Sequence, residues 1–248
     1  MTEATTIAIE LPPLKLDREA IAKRLRVPAT SRKREELWEM IDTIEQKAKP
    51  AVYFRQFTPV FNDDGTVSLA ETRIESAGIA KMLGKKGQPL ADGAPTVFAF
   101  AATCGQEASD WGNEREMGLP VFWAQTILEE GMLLLQAELE RELKKIGDNE
   151  VSYLEPGIPE DWPLDKQETV FELLGGNSET FGIRLNNQSL MLPFRYLAGL
   201  AYFTKKLLPQ CGICHFTDCN KQRGGCWRLQ AIKRKGAETG REVEETQE

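Results

Sequence analysis

No run of about 18 consecutive apolar residues occurs in the 248-residue sequence, which excludes a helix long enough to cross a bilayer. Residues 1–10 carry Glu3 and Glu10 and no basic residue ahead of an apolar core. Neither a signal peptide nor a membrane anchor is therefore read, and the chain is expected in the cytoplasm. Internal repeats and low-complexity segments are lacking, so the chain reads as successive elements rather than as an array. A surplus of positive charge is lacking too. Thirty-one Lys and Arg face 38 Asp and Glu, a net charge of −7 that argues against a general nucleic-acid binder. Histidine occurs once, as His215, and cysteine five times.

What is present is enough apolar side chain, 41% against 28% charged, to bury a substantial core in one large domain or one and a half ordinary ones. Punctuation by Pro, Gly and Asp divides it. Residues 7–11 form a short apolar strand, residues 17–25 a helix, and a second helix capped by Ser31 carries Leu37, Trp38, Ile41 and Ile44 to a stop at Pro50. Residues 51–61 alternate and pair with 66–70 across Asp63-Asp64-Gly65 as a hairpin. A short helix at 76–83 precedes 96–103 (TVFAFAAT), whose unbroken apolar character fits a central strand covered on both faces.

After a polar loop, Pro120 opens the longest helix, to about residue 146, with Trp123, Ile127, Leu128, Leu135, Leu139 and Leu143 on one stripe. The charges Glu138, Glu140 and Glu142 on that helix read as a solvated face. A strand at 151–154, a Pro-rich loop to Pro163, a helix at 167–174 closed by Gly175-Gly176, and a strand pair at 181–192 and 196–203 complete the body. Lone Cys104, after an apolar run, reads as a buried structural thiol. Trp111, Phe122, Trp123 and Trp162 read as core or as stacking surfaces for an adenine or a corrin.

The other four cysteines, Cys211, Cys214, Cys219 and Cys226, follow a Cys-x2-Cys-x4-Cys-x6-Cys spacing relaxed by Gly212, Gly224 and Gly225. They lie in a basic stretch, 205–235, where eight Lys and Arg meet one acid, Asp218. Clustering of this kind without an export signal points to metal ligation rather than disulfides. Thiolates suit either an iron-sulfur cluster or zinc, and Lys221, Arg223 and Arg228 offset the excess negative charge of either centre. His215 lies between the second and third cysteines as a neighbour rather than a ligand, and Trp227 packs over the site. The expected organisation is an α/β (α+β) domain at 1–208, the four-cysteine segment at 209–235 and a disordered acidic tail at 236–248.

The segments SYLEPGIPEDWPLDKQETVFELLGG and FGIRLNNQSLMLPFRYLAGLAYF resemble the core of the activation domain of cobalamin-dependent methionine synthase and its stand-alone relatives. The residues that carry the likeness include Pro156, Gly157, Trp162, Pro163, Leu164, Leu173, Leu174, Leu185, Ser189, Met191 and Pro193. FAFAATCG at 98–105 resembles the family's central strand, and stand-alone members often end in a cysteine-rich tail. The resemblance implies a mixed twisted sheet with packed helices, S-adenosylmethionine binding, and reductive methylation of cob(II) on a corrinoid-binding protein or methyltransferase.

The resemblance also places the cofactor loop at Glu155, Pro156 and Gly157, where the backbone bends either to aim amides at a ligand or simply as a structural turn. The family loop reads Arg-x-(Ala or Ser)-Pro-Gly-Tyr, and this chain departs from it with Tyr153 and Ile158. Two other readings stand beside the first. One is a module in which zinc staples a basic segment that docks on protein or RNA, and the other is an iron-sulfur electron carrier without methyl transfer.

Overall fold

The computed structural model describes residues 6–9, 11–90, 93, 95–114, 118–175, 182–193 and 195–208. The expected cysteine segment, with Cys211, Cys214, Cys219, Cys226, His215 and Trp227, and the acidic tail lie outside the described residues. In chain order the elements are β1 (Ile7–Ile9), α1 (Arg18–Arg24), α2 (Lys33–Lys47), β2 (Ala51–Phe57), β3 (Pro59–Phe61), β4 (Val67–Leu69), β5 (Thr72–Ile74) and α3 (Ala77–Lys86). They continue with β6 (Val97–Thr103), α4 (Gln106–Asn113), α5 (Leu119–Leu143), β7 (Glu150–Leu154), α6 (Gln167–Leu173), β8 (Arg184–Leu185), β9 (Met191–Leu192) and β10 (Tyr196–Thr204).

Five strands make the main sheet, in the order β1-β2-β6-β10-β7. All seven residues of β6 are buried, as a strand flanked by neighbours on both edges and layers on both faces requires. Its alternation sorts the two faces. Phe98, Phe100 and Ala102 join Val52, Phe54, Leu197 and Phe203 on the face covered by α1, α2, α4 and α5. Val97, Ala99 and Ala101 join Leu154, Leu200 and Tyr202 on the face covered by α3, α6 and the small sheet of β3, β4 and β5. Aromatic rings meet edge to face across the first layer, Phe54 with Phe98 at 6.1 Å and Phe98 with Phe203 at 5.6 Å between centroids.

Local chemistry sets the helix starts. Asp17 accepts the amide of Ala20 at 3.0 Å to cap α1, Ser76 accepts that of Ile79 at 3.0 Å to cap α3, and Ser31 accepts that of Lys33 at 3.2 Å just ahead of α2.

The α+β architecture is as the sequence reading has it, and several details differ. Every ladder of the main sheet is antiparallel, where a mixed sheet was expected. The register Phe57↔Val97 shows why for β2 and β6: the small sheet and α3 are inserted so that the chain returns to the edge it left, reversing direction. Residues 51–61 divide into β2 and β3 because Pro59 cannot donate to the central ladder, and the chain changes sheets there. The hairpin at Asp63-Asp64-Gly65 forms as expected, with β5 as an unforeseen third strand.

The expected polar loop after β6 contains α4. Its buried side is made of small residues, Ala108, Ser109 and Gly112, and a side chain at Gly112 would come within 2.8 Å of Leu128. Residues 184–192 pair with each other, leaving β10 free to enter the main sheet between β6 and β7. Glu140 is only 4% exposed, which corrects the reading of its helix face as solvated. The sheet and three other helices surround α5.

At the far end of β10, hydroxyls tie the chain down. The Ser152 hydroxyl lies 2.7 Å from that of Thr204 and accepts the Leu208 amide at 3.1 Å, while Thr204 donates to the Lys206 carbonyl at 2.7 Å. These buried polar atoms are thereby satisfied among themselves.

Cys104 is fully buried against Leu14 and Gly131, and burial pushes its thiol up to about 12. A thiol held neutral and enclosed is inert. With Cys211, Cys214, Cys219 and Cys226 all replaced by serine, a chromogenic disulfide reagent at pH 8 is expected to find no reactive thiol in the folded chain and one per chain in denaturant.

Candidate functional site

β10 pairs with β6 along Tyr196–Tyr202 but with β7 only from Leu200 to Thr204. Residues 196–199 therefore have no strand against their second edge among the described residues. The cause is local. β7 ends at Leu154, whose carbonyl oxygen lies where a Cβ on Gly199 would stand, 2.1 Å from that position. Only glycine admits this crossing.

The gap opens a cleft of about 230 Å³. Its walls are Glu155 and Pro156 from the loop, Leu164 and Gln167 from the entry to α6, Glu129 and Met132 from α5, and residues 195–198. Two of the three expected site residues, Glu155 and Pro156, thus reach the cleft.

Gly157 does something else. Pro156 and Gly157 occupy the centre of a type II turn, with Gly157 at φ +84° and the Ile158 amide donating to the Glu155 carbonyl at 3.2 Å. The Gly157 amide donates to the Trp162 carbonyl at 2.7 Å. Both amides are bonded within the loop. Trp162, 1% exposed, anchors the loop in the second core. Asp161 fastens it to the start of α3 by accepting from the Ser76 hydroxyl at 2.8 Å and the Gly78 amide at 2.9 Å.

Charges of both signs line the cleft. Glu129 and Glu130 hold Arg24 between them, Glu130 at 2.8 Å. Arg195 is half-buried, its main-chain carbonyl accepts from the Thr103 hydroxyl at 3.4 Å, and its guanidinium forms no ion pair among the described residues. Gln167, among the residues that line the cleft, is 1% exposed, and its side-chain oxygen accepts the Met191 amide at 2.8 Å, which fixes the carboxamide.

Tyr153, which stands where the resembled loop has arginine, points into the first core instead. Its ring packs edge-on against Phe100 at 5.4 Å, and burial, reinforced by the Glu155 charge, holds its hydroxyl well above the usual tyrosine range.

Of the aromatic candidates, Trp123 and Trp162 are core residues, Trp111 packs against the first core, and Phe122 is 56% exposed. A second, basic cleft of about 380 Å³ lies at the other end of β10 between Lys85, Lys86, Lys205 and Lys206. Among the described residues no three His, Cys, Asp or Glu side chains converge as metal ligands. Sequence reading missed Glu129, Met132, Gln167 and Arg195. Nothing in their spacing marks them, since the departure of β7 from β10 is what brings them together.

No family model matches the chain, and no curated protein matches it. Among solved structures, the MetH reactivation domain crystallised with bound AdoHcy matches with a TM-score of 0.53, at 13% identity, over 95% of this chain and 90% of that one. At that identity the likeness is one of fold. It extends over nearly the whole length of both chains.

Two glycines test the construction of the cleft. Gly199→Ala is expected to destabilise the fold by about 2–3 kcal/mol, because backbone rather than a flexible side chain must move. Gly157→Ala is expected to cost about 1 kcal/mol through its positive φ. Urea unfolding midpoints of the two variants should fall in that order, and a wild-type midpoint for Gly199→Ala would refute the crossing.

Proposed function

We propose that this chain supports reductive reactivation of a corrinoid-binding protein or methyltransferase, with S-adenosylmethionine in the cleft and a 4Fe-4S cluster on Cys211, Cys214, Cys219 and Cys226. The observation that carries the reading is the whole-length fold likeness to a reactivation domain whose crystal structure holds AdoHcy, the demethylated form of that cosubstrate.

The residues present fit such groups. The cleft offers a guanidinium, carboxylates and a fixed carboxamide, the polar set that an amino-acid-bearing nucleoside needs, beside apolar Met132 and Pro156. The cysteine segment offers four soft thiolates among basic residues that lower the cost of gathering negative charge.

When bound, the cosubstrate would supply a methyl group to the partner's reduced cobalt, its carbon–sulfur electron pair staying on sulfur, and a cluster held by Cys211, Cys214, Cys219 and Cys226 would supply one-electron chemistry fed by an external low-potential donor. The chain's own task is placement. The turn at Pro156-Gly157 fixes one wall, α5 fixes the floor, and Asp161 and Trp162 hold the loop rigidly against α3 and the core. The corrin arrives on the partner, at the mouth of the cleft, and the location of this work is the cytoplasm.

A second reading, an iron-sulfur electron carrier without methyl transfer, is favoured by the burial of Tyr153, which removes the family's usual carboxylate grip from that position. The two readings separate on mixing with a cob(II)alamin-loaded corrinoid protein without oxygen.

Protein purified anaerobically is expected to be coloured, with iron and sulfide in equal amounts, and both should vanish when the four cysteines become serine. Adding a reductant and S-adenosylmethionine to the mixture should convert the cob(II) spectrum to that of methylcobalt. Colourless protein with one zinc per chain would remove the cluster, and an unchanged cobalt spectrum would remove the reactivation.

A further inference from the structure

We infer that the cleft recognises a zwitterionic α-amino-acid end, with Arg195 binding its carboxylate and Glu155 facing its ammonium group; the identity of the remainder of the ligand rests on the S-adenosylmethionine reading above. Residues of opposite charge line the cleft. Arg195 stands at the entry to β10 and Glu155 is the first residue beyond β7, and both line the same open space.

Arg195 is the one to receive an anion. The other guanidinium near this space, that of Arg24, is already held by Glu129 and Glu130, whereas Arg195 is half-buried and forms no ion pair among the described residues. A partly desolvated guanidinium presents a planar fork of donors that matches a carboxylate in two parallel hydrogen bonds. Gln167, its carboxamide locked by the bond to the Met191 amide, also lines the cleft, and Met132 gives an apolar surface for the ligand's side chain.

Tyr153 cannot take this role, because its ring is committed to Phe100 and its hydroxyl to the interior. On this assignment the anion-binding group stands at the entry to β10 rather than on β7. Removing the Arg195 side chain leaves in place the bond from Thr103 to the Arg195 carbonyl, so the strand entry keeps its anchor.

The test is calorimetric binding of three probes to the full chain. S-adenosylhomocysteine has the amino-acid end, 5′-methylthioadenosine is the same thioether nucleoside without it, and L-methionine is the amino-acid end alone. Wild type is expected to bind S-adenosylhomocysteine at least about tenfold more tightly than 5′-methylthioadenosine. Arg195→Ala should weaken S-adenosylhomocysteine by about ten- to a hundredfold and leave 5′-methylthioadenosine unchanged, with Arg195→Lys recovering part of the loss and both variants keeping the wild-type circular dichroism and thermal midpoint.

Equal affinity of wild type for the two nucleosides, or an equal loss for both in Arg195→Ala, overturns the assignment. A chain that binds neither nucleoside but takes L-methionine in an Arg195-dependent way keeps this inference and removes the S-adenosylmethionine reading. A chain that binds none of the three overturns both.

Discussion

The Leu154 carbonyl occupies the space a side chain on Gly199 would fill, and this contact decides where the central sheet stops being a sheet. Up to Leu154 the strands β7 and β10 are partners. Past it the chain rises over its neighbour, turns through Pro156 and Gly157, and leaves one edge of residues 196–199 facing a cleft instead of a strand. Antiparallel sheets are closed along most of their length by exchanged backbone hydrogen bonds, and interrupting a ladder frees an edge to line a cleft. Here the interruption falls at a strand end, where it removes the fewest pairs.

Rigidity around that interruption comes from layers packed on both faces. Fully burying a large apolar side chain is worth roughly 1.5–3 kcal/mol, and the sheet carries such side chains on each face of β6 and β10. The loop shares in this through Trp162; its Gly157, Ile158 and Trp162 amides are bonded within it, and its Asp161 carboxylate accepts from the Ser76 hydroxyl and the Gly78 amide of α3. A wall built in this way does not need a ligand to take its shape, which lowers the ordering cost of binding.

Much of this architecture is written in local pattern. The unbroken apolar run at 96–103 is legible as a doubly covered strand because no polar residue interrupts it, and α5 is legible from Pro120 and a long stripe. The elements that escaped detection are those whose reason is tertiary. α4 is nearly all polar or small, and it is helical because Gly112 lets α5 approach; β5 is three residues long and gains its meaning from β4. The site divides in the same way. Glu155 and Pro156 belong to a recognisable loop, while Arg195 and Gln167 carry no local signature and become neighbours of that loop only through strand order. Tyr153 shows the converse, since its place in a recognisable loop suggests a ligand contact while its side chain joins the core.

The clasp of Ser152, Thr204 and Leu208 has a mechanical consequence. It pins β7 to β10 at the end of the ladder opposite the cleft, and nine extended residues, about 30 Å, separate the two ends. A pull on the chain at Leu208 is therefore borne by buried hydroxyls and spent before it can widen the cleft.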